Sequence, residues 1–162
     1  LLEQRIVLGV YSPMDSNKKE KKTDQEPKKD SPKVEGDYKS RLSEARKIYQ
    51  EGDYGRAYKI FQNLDNKYPG ELTDGEPKYW LGRCWMMLQD YNAAQKSFNE
   101  FLGSYPKSHW VPSASYYLAK VELKLDLVET AANRLQSIIK KYPYEGSSEA
   151  ARELLSQIKK RP

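Results

Sequence analysis

The sequence predicts an all-α protein, a superhelical array of three helical hairpins plus a C-terminal capping helix. Tyr68-Pro69, Tyr105-Pro106 and Tyr142-Pro143 each close a helical pattern, and the prolines recur every 37 residues. Ala57, Ala94 and Ala131 keep the same step upstream. A fixed period of about 20–50 residues marks stacked units that bury their apolar faces on one another.

The first helix is expected from Tyr38 to Gln50, with Leu42, Ala45, Ile48 and Tyr49 on one face. Gly52-Asp53 breaks it, and Asp53 is suited to cap a second helix carrying Tyr54, Ala57, Tyr58, Phe61 and Leu64. That helix stops at Tyr68-Pro69, because proline brings no amide and restricts the residue before it. In the second copy Thr73 and Glu76 have capping-box spacing ahead of Trp80, Leu81, Cys84, Trp85 and Leu88. Asp90 then opens a partner helix with Tyr91, Ala94, Phe98 and Phe101. In the third copy Pro112 suits a first turn, and Asp126 with Glu129 is expected to box the following helix. A last helix near Ser147 to Lys160 has no partner and serves as a cap.

Aligned on the 37-residue step, Ala45, Gly82 and Ala119 form one small column and Ala57, Ala94 and Ala131 another. Small residues are needed where two helices approach closely, since a larger side chain would cost about 1–3 kcal/mol by overpacking. Phe61, Phe98 and Leu135, then Leu64, Phe101 and Ile138, fill the space around them. These columns resemble the tetratricopeptide repeat: Trp80-Leu81-Gly82, Trp85, Asp90-Tyr91, Ala94, Phe98 and Pro106 in the second copy, Gly52-Asp53-Tyr54, Ala57, Phe61 and Pro69 in the first. Glu44 and Glu122 depart from the pattern, where Leu and an aromatic are usual.

The chain is similar, more narrowly, to the C-terminal domain of the Tol-Pal-associated periplasmic protein (YbgF/CpoB type). The residues that carry this are Tyr105-Pro106-Lys107-Ser108, Tyr79-Trp80-Leu81-Gly82 and Ser115-Tyr116-Tyr117-Leu118-Ala119. More distantly it resembles outer-membrane assembly lipoproteins of the BamD type. The first resemblance implies a periplasmic adaptor of the bacterial cell envelope, acting with Tol-system proteins in cell division. The second implies a scaffold for outer-membrane protein assembly. A third expectation is a structural spacer that forms homo-oligomers through an upstream coiled coil.

Domain organisation follows. Residues 1–8 (LLEQRIVL) are read either as the end of such a coiled coil or as a frayed apolar end. Residues 9–36 form a flexible charged linker, with Met14 and Val34 almost alone as apolar residues after Ser12. Residues 37–162 form the repeat domain, with repeats at about 38–70, 75–107 and 112–144 and the cap at about 147–160. The chain starts at Leu1 rather than Met, so a processed or partial chain is expected, with any signal peptide or lipid anchor upstream.

The net charge is +5, but residues 1–36 hold eight Lys/Arg against seven Asp/Glu and the remainder is dispersed. Nucleic-acid binding requires concentrated charge that releases several counterions together, so no nucleic-acid partner is expected. No apolar run reaches membrane-spanning length. Cys84 is the only cysteine and is expected to be a packed thiol. His109 is the only histidine, without the companions of a triad or zinc site. Glu122, Asp126 and Glu129 lie close together but are explained by capping and surface charge. Neither catalysis nor a cofactor or metal is expected.

Function is expected on the first helices of the hairpins, which line the concave surface of such an array. Leu42, Tyr79 and Tyr116 form one column there, Arg46, Arg83 and Lys120 a second one turn on, and Tyr49, Met86 and Leu123 a third. Apolar rows flanking a basic row suit a partner peptide with apolar anchors and an acid or terminal carboxylate. The competing explanation is a solvated basic row over aromatics that merely pack the repeats together.

Overall fold

The computed structural model describes residues 32–160, whose regular structure is α-helical throughout. The possible coiled-coil end at 1–8 and most of the charged segment 9–36 lie outside the described residues. Helix α1 spans Pro32–Gln50 and so starts six residues ahead of the expected Tyr38, taking in the last part of the segment read as linker. Proline fits a first helical turn, and the polar turns that follow offer no apolar stripe to reveal a helix. The start is tied down by Asp37, which accepts hydrogen bonds from the Tyr68 hydroxyl and from Lys67 Nζ, the latter at 2.9 Å.

The other elements are α2 (Tyr54–Lys67), the single turn α3 (Gly70–Thr73), α4 (Glu76–Met87), α5 (Tyr91–Ser104), α6 (Val111–Lys124), α7 (Val128–Lys141) and α8 (Gly146–Lys159). Pairs α1/α2, α4/α5 and α6/α7 are the three hairpins, and each packs on the next through α2–α4 and α5–α6. The first helices also touch one another, α4 on α6 and α6 on α8, whereas no comparable contact joins α2 to α5 or α5 to α7. From the second hairpin on, the first helices and α8 thus lie closer together than the second helices do, which makes their layer the concave side, and α1 joins it through the contact of Arg46 with Glu76.

Helix closure follows the Tyr-Pro period. The backbone N–H groups of Tyr68, Tyr105 and Tyr142 bond back to Leu64, Phe101 and Ile138, and each tyrosine caps its helix. Both small columns are at the helix contacts: Ala45, Ala57, Ala94, Ala119 and Ala131 are fully buried. Phe61 and Phe98 are buried beside them, each worth about 1.5–3 kcal/mol of apolar burial. Trp80 reaches back from the second hairpin to stack on Phe61, with ring centroids 5.5 Å apart.

Two expected caps are not formed. Asp53 and Asp90 do accept from the amides of Arg56 and Ala93, at 3.0 and 2.9 Å. In the third hairpin, however, the N-cap is Leu127, which has no oxygen to offer. Asp126 instead occupies the left-handed turn position that Gly52 and Gln89 hold in the other hairpins, with φ of 59°, 88° and 64° respectively. Nor do Thr73 and Glu76 form a capping box, because Thr73 ends α3 and the N-cap of α4 is Gly75. The Tyr105 ring lies so close over Gly75 that a Cβ there would sit 2.4 Å from it. Ser108 Oγ and the His109 amide bond to Asp74 at 2.8 and 3.1 Å, which locks this junction and gives His109 a structural place.

Helix α8 covers the third hairpin as a cap. Ala151 is fully buried, and Leu154, Leu155 and Ile158 pack on the cluster of Ala131, Leu135 and Ile138. Its buried Ser148 donates from Oγ to the carbonyls of Tyr142 at 2.5 Å and Ile138 at 3.2 Å, satisfying acceptors at the end of α7.

Candidate functional site

Arg46 on α1, Arg83 on α4 and Lys120 on α6 recur at the 37-residue step along the concave layer. Their electrostatic situations differ. Arg46 donates from Nη2 to Glu76, whose side chain is only 11% exposed. Trp80 Nε1 donates to the same carboxylate oxygen at 3.0 Å. The charge of Arg46 is thus neutralised inside the protein.

Arg83 has no carboxylate partner among the described residues. Its Nη1 donates to the Tyr79 hydroxyl at 2.9 Å. Its guanidinium carbon lies 3.8 Å from the centroid of the Tyr117 ring, 5.3 Å from that of Trp80 and 5.4 Å from that of Tyr49. Aromatic faces stabilise a cation without neutralising it, each by about 0.5–2 kcal/mol. Arg83 is therefore held in place, and its positive charge has no match among the described residues. Lys120 Nζ lies 5.9 Å and 5.8 Å from the rings of Tyr116 and Tyr117 and also lacks a carboxylate partner among the described residues.

The platform beneath is an aromatic stack. Tyr79 lies against Trp110 at 4.7 Å and 23°, and Tyr49 meets Trp80 edge-on at 5.1 Å. Desolvation by burial pushes the Tyr79 hydroxyl up to about 12, so it stays protonated and neutral. Among the described residues the Tyr38 and Tyr49 hydroxyls, Arg46 Nε, Arg83 Nε and Trp110 Nε1 are buried polar atoms without a hydrogen-bond partner.

The predicted rows are brought together, but not all of them reach solvent. Leu42, Tyr49 and Tyr79 are 6%, 9% and 2% exposed and belong to the core between hairpins. Arg46, Arg83, Met86, Tyr116 and Leu123 are half-buried, and Lys120 is exposed. Glu76, Trp80, Trp110 and Tyr117 also build the site and were not among the predicted residues. Trp80 and Tyr117 share one column at the 37-residue step, a column the sequence reading did not single out. Among the described residues no group of three or more His, Cys, Asp or Glu side chains comes together as a metal site, and no helix is long and apolar enough to cross a membrane.

Known structures reproduce the architecture. The Yersinia enterocolitica type III secretion translocator chaperone SycD is 25% identical, with a TM-score of 0.62 over 75% of this chain and 91% of SycD. PcrH, solved with the chaperone-binding region of PopB, is 20% identical, with a TM-score of 0.62 over 80% of this chain and 98% of PcrH. The second TPR domain of human RPAP3, solved with an HSP70 peptide, is 18% identical, with a TM-score of 0.58 over 81% of this chain and all of that domain. No curated protein sequence matches the chain. The model of the YfiO family, described as outer membrane lipoprotein, matches residues 35–161. That span takes in every described helix but the first turn of α1, and the chain belongs to the YfiO family.

Proposed function

We propose that this protein is a non-catalytic interaction module of the bacterial cell envelope, which holds a segment of a partner protein along the concave face of α1, α4 and α6. The observation that carries this is Arg83, a guanidinium fixed by aromatic rings and without a carboxylate partner among the described residues. Holding an unneutralised cation half-buried is costly unless something completes it, and a partner's carboxylate or carbonyl groups would do so. Proteins of the same fold are described with bound segments: SycD with a peptide of the translocator YopD, PcrH with PopB, RPAP3 with an HSP70 peptide. Membership of a family of outer membrane lipoproteins supports the envelope as its place.

Within that class, the family favours a scaffold for outer-membrane protein assembly. The periplasmic adaptor of the Tol-Pal type rests on the sequence motifs alone, and a spacer gives the guanidinium of Arg83 no use. The test is capture from bacterial envelope extract on the immobilised full chain, comparing wild type, Arg83→Glu and the milder Lys120→Glu. Outer-membrane assembly proteins should be recovered by wild type and lost with either variant while the helical signal persists. Unchanged recovery on folded variants would remove the basic row from the mechanism. Recovery of Tol-Pal components instead would move the reading to the Tol-associated adaptor.

A further inference from the structure

Helix α4 ends in two methionines, and its turn adds a leucine. Five large apolar side chains are exposed among the described residues, and two of them adjoin here: Met87 at 39% and Leu88 at 45%. Beside them lies an open pocket of about 240 Å3, lined by Met86, Met87, Gln89, Tyr91, Lys120 and Lys124. This is smaller than the roughly 300–1,000 Å3 usual for small-molecule sites. It suits one large side chain of a longer ligand.

The two sides of the pocket differ in chemistry. Met86, Met87 and Tyr91 make an apolar wall, and thioethers adapt to apolar groups of varied shape. Lys120 and Lys124, one turn apart on α6, make the other wall. Both lysines are exposed, and the ion pairs of the described residues engage other cations. At the opposite end of the concave layer Arg46 is already satisfied by Glu76. Of the basic row and its neighbour Lys124, the cations without a carboxylate partner among the described residues are thus Arg83, Lys120 and Lys124, in the second and third hairpins beside this apolar socket.

We propose that this pocket anchors a partner peptide through one large apolar side chain next to acidic residues, and that it fixes the peptide's direction, acidic end towards α6. This rests on the reading of the concave face as a peptide groove and adds the partner's chemistry and polarity.

The chain has three methionines, so protein labelled with 13C at the methionine methyls reports on Met86, Met87 and, ahead of α1, Met14. The probe is an amidated, fluorescein-labelled peptide with one leucine followed by two glutamates in a Gly-Ser frame, which has no terminal carboxylate. Controls replace the leucine by alanine, or both glutamates by lysine. The probe should shift the Met86 and Met87 signals. Affinity should fall at least about tenfold with either control and with Lys124→Glu, equivalent to about 1.4 kcal/mol. Equal affinity for the lysine control overturns the proposal. So does a probe that moves the Arg83 Nε signal but neither methionine, which leaves the groove standing and removes the pocket. A probe that moves none of these removes both. Shifts of Met86 and Met87 that depend on protein concentration without peptide assign the pocket to a second copy and overturn the proposal. Shifts shared with Met14 at every dilution assign it to the chain's own N-terminal segment and overturn the proposal as well.

Discussion

Arg134 on α7 grips Glu122 on α6 with two nitrogens: Nε lies 3.1 and 2.9 Å from the two carboxylate oxygens and Nη2 lies 2.7 Å from Oε1. The Glu122 side chain is 2% exposed. One repeat back the two positions hold Trp85 and Ser97, and two repeats back Ile48 and Ile60. The first hairpin thus packs two isoleucines where the third has an ion pair, and the second has a tryptophan and a serine. Removing one partner strands a buried charge, so Arg134→Ala should lower stability by about 3–5 kcal/mol. The double variant Glu122→Ile with Arg134→Ile should be at least as stable as wild type, since a buried pair rarely beats well-packed apolar groups. Urea denaturation of the three proteins decides this, and a double variant as unstable as Arg134→Ala would refute it.

Gly82 and Gly103 should respond in opposite directions to alanine. A Cβ on Gly82 would lie 2.8 Å from two ring carbons of Phe98, which is itself fully buried and has little room to move. Gly82→Ala should therefore cost about 1–3 kcal/mol by overpacking, despite alanine's better helix propensity. A Cβ on Gly103 meets nothing within 4 Å. Gly103→Ala should gain up to about 1 kcal/mol from propensity alone. Guanidinium midpoints of the two variants should move apart from that of wild type.

The contrast shows which features are legible ahead of the structure. Small columns, Tyr-Pro closures and the recurrence of Arg46, Arg83 and Lys120 are local or strictly periodic, so one sequence displays them. The depth of Leu42, Tyr49 and Tyr79 depends instead on how tightly the first helices crowd, and no residue pattern encodes that spacing. Glu76 reads as a cap because its distance from Thr73 matches, yet its carboxylate turns to Arg46, thirty positions away. Trp110 enters from a junction that belongs to no helical column. The Glu122–Arg134 pair is half visible: Glu122 breaks the repeat pattern, but its partner lies across a hairpin.

The third hairpin should be improvable at its turn. Leu127 stands where Asp53 and Asp90 cap the other hairpins, and it is 41% exposed. Leu127→Asp supplies the missing acceptor and should add about 1 kcal/mol. Asp126→Gly should relieve the left-handed strain at φ 59° and add a similar or smaller amount. Thermal melts should rise by a few degrees for each, roughly 2–8 °C per kcal/mol. A fall for Leu127→Asp would mean that the leucine makes contacts worth more than a cap.

Cys84 should be chemically silent while the protein is folded. It is fully buried, and desolvation pushes its thiol up to about 12. At pH 8 only about one molecule in ten thousand would carry the reactive thiolate, even with access. Modification by a chromogenic disulfide at pH 8 should therefore be very slow in buffer. It should accelerate across the urea transition in step with loss of helical signal. Rapid labelling of the native protein would show that the packing of α4 on the first hairpin opens locally.

Acid should loosen the start of α1 through Asp37. Its carboxyl is held below the ordinary carboxylate range, first by the hydrogen bond from Tyr68 and then by that from Lys67. A depressed folded-state value means that the ionised form is the one folding favours. Its contribution is present above the unfolded value, about 3.9, and is lost as pH falls through the lower folded value. Asp37→Asn keeps the shape and removes the charge. Wild type should exceed the variant in stability at pH 7, and the gap should close as pH falls below the ordinary carboxylate range. Urea melts of both proteins at a series of pH values measure this directly, and a gap that stays constant down to pH 2 would mean that the bonds to Asp37 do not depend on its charge.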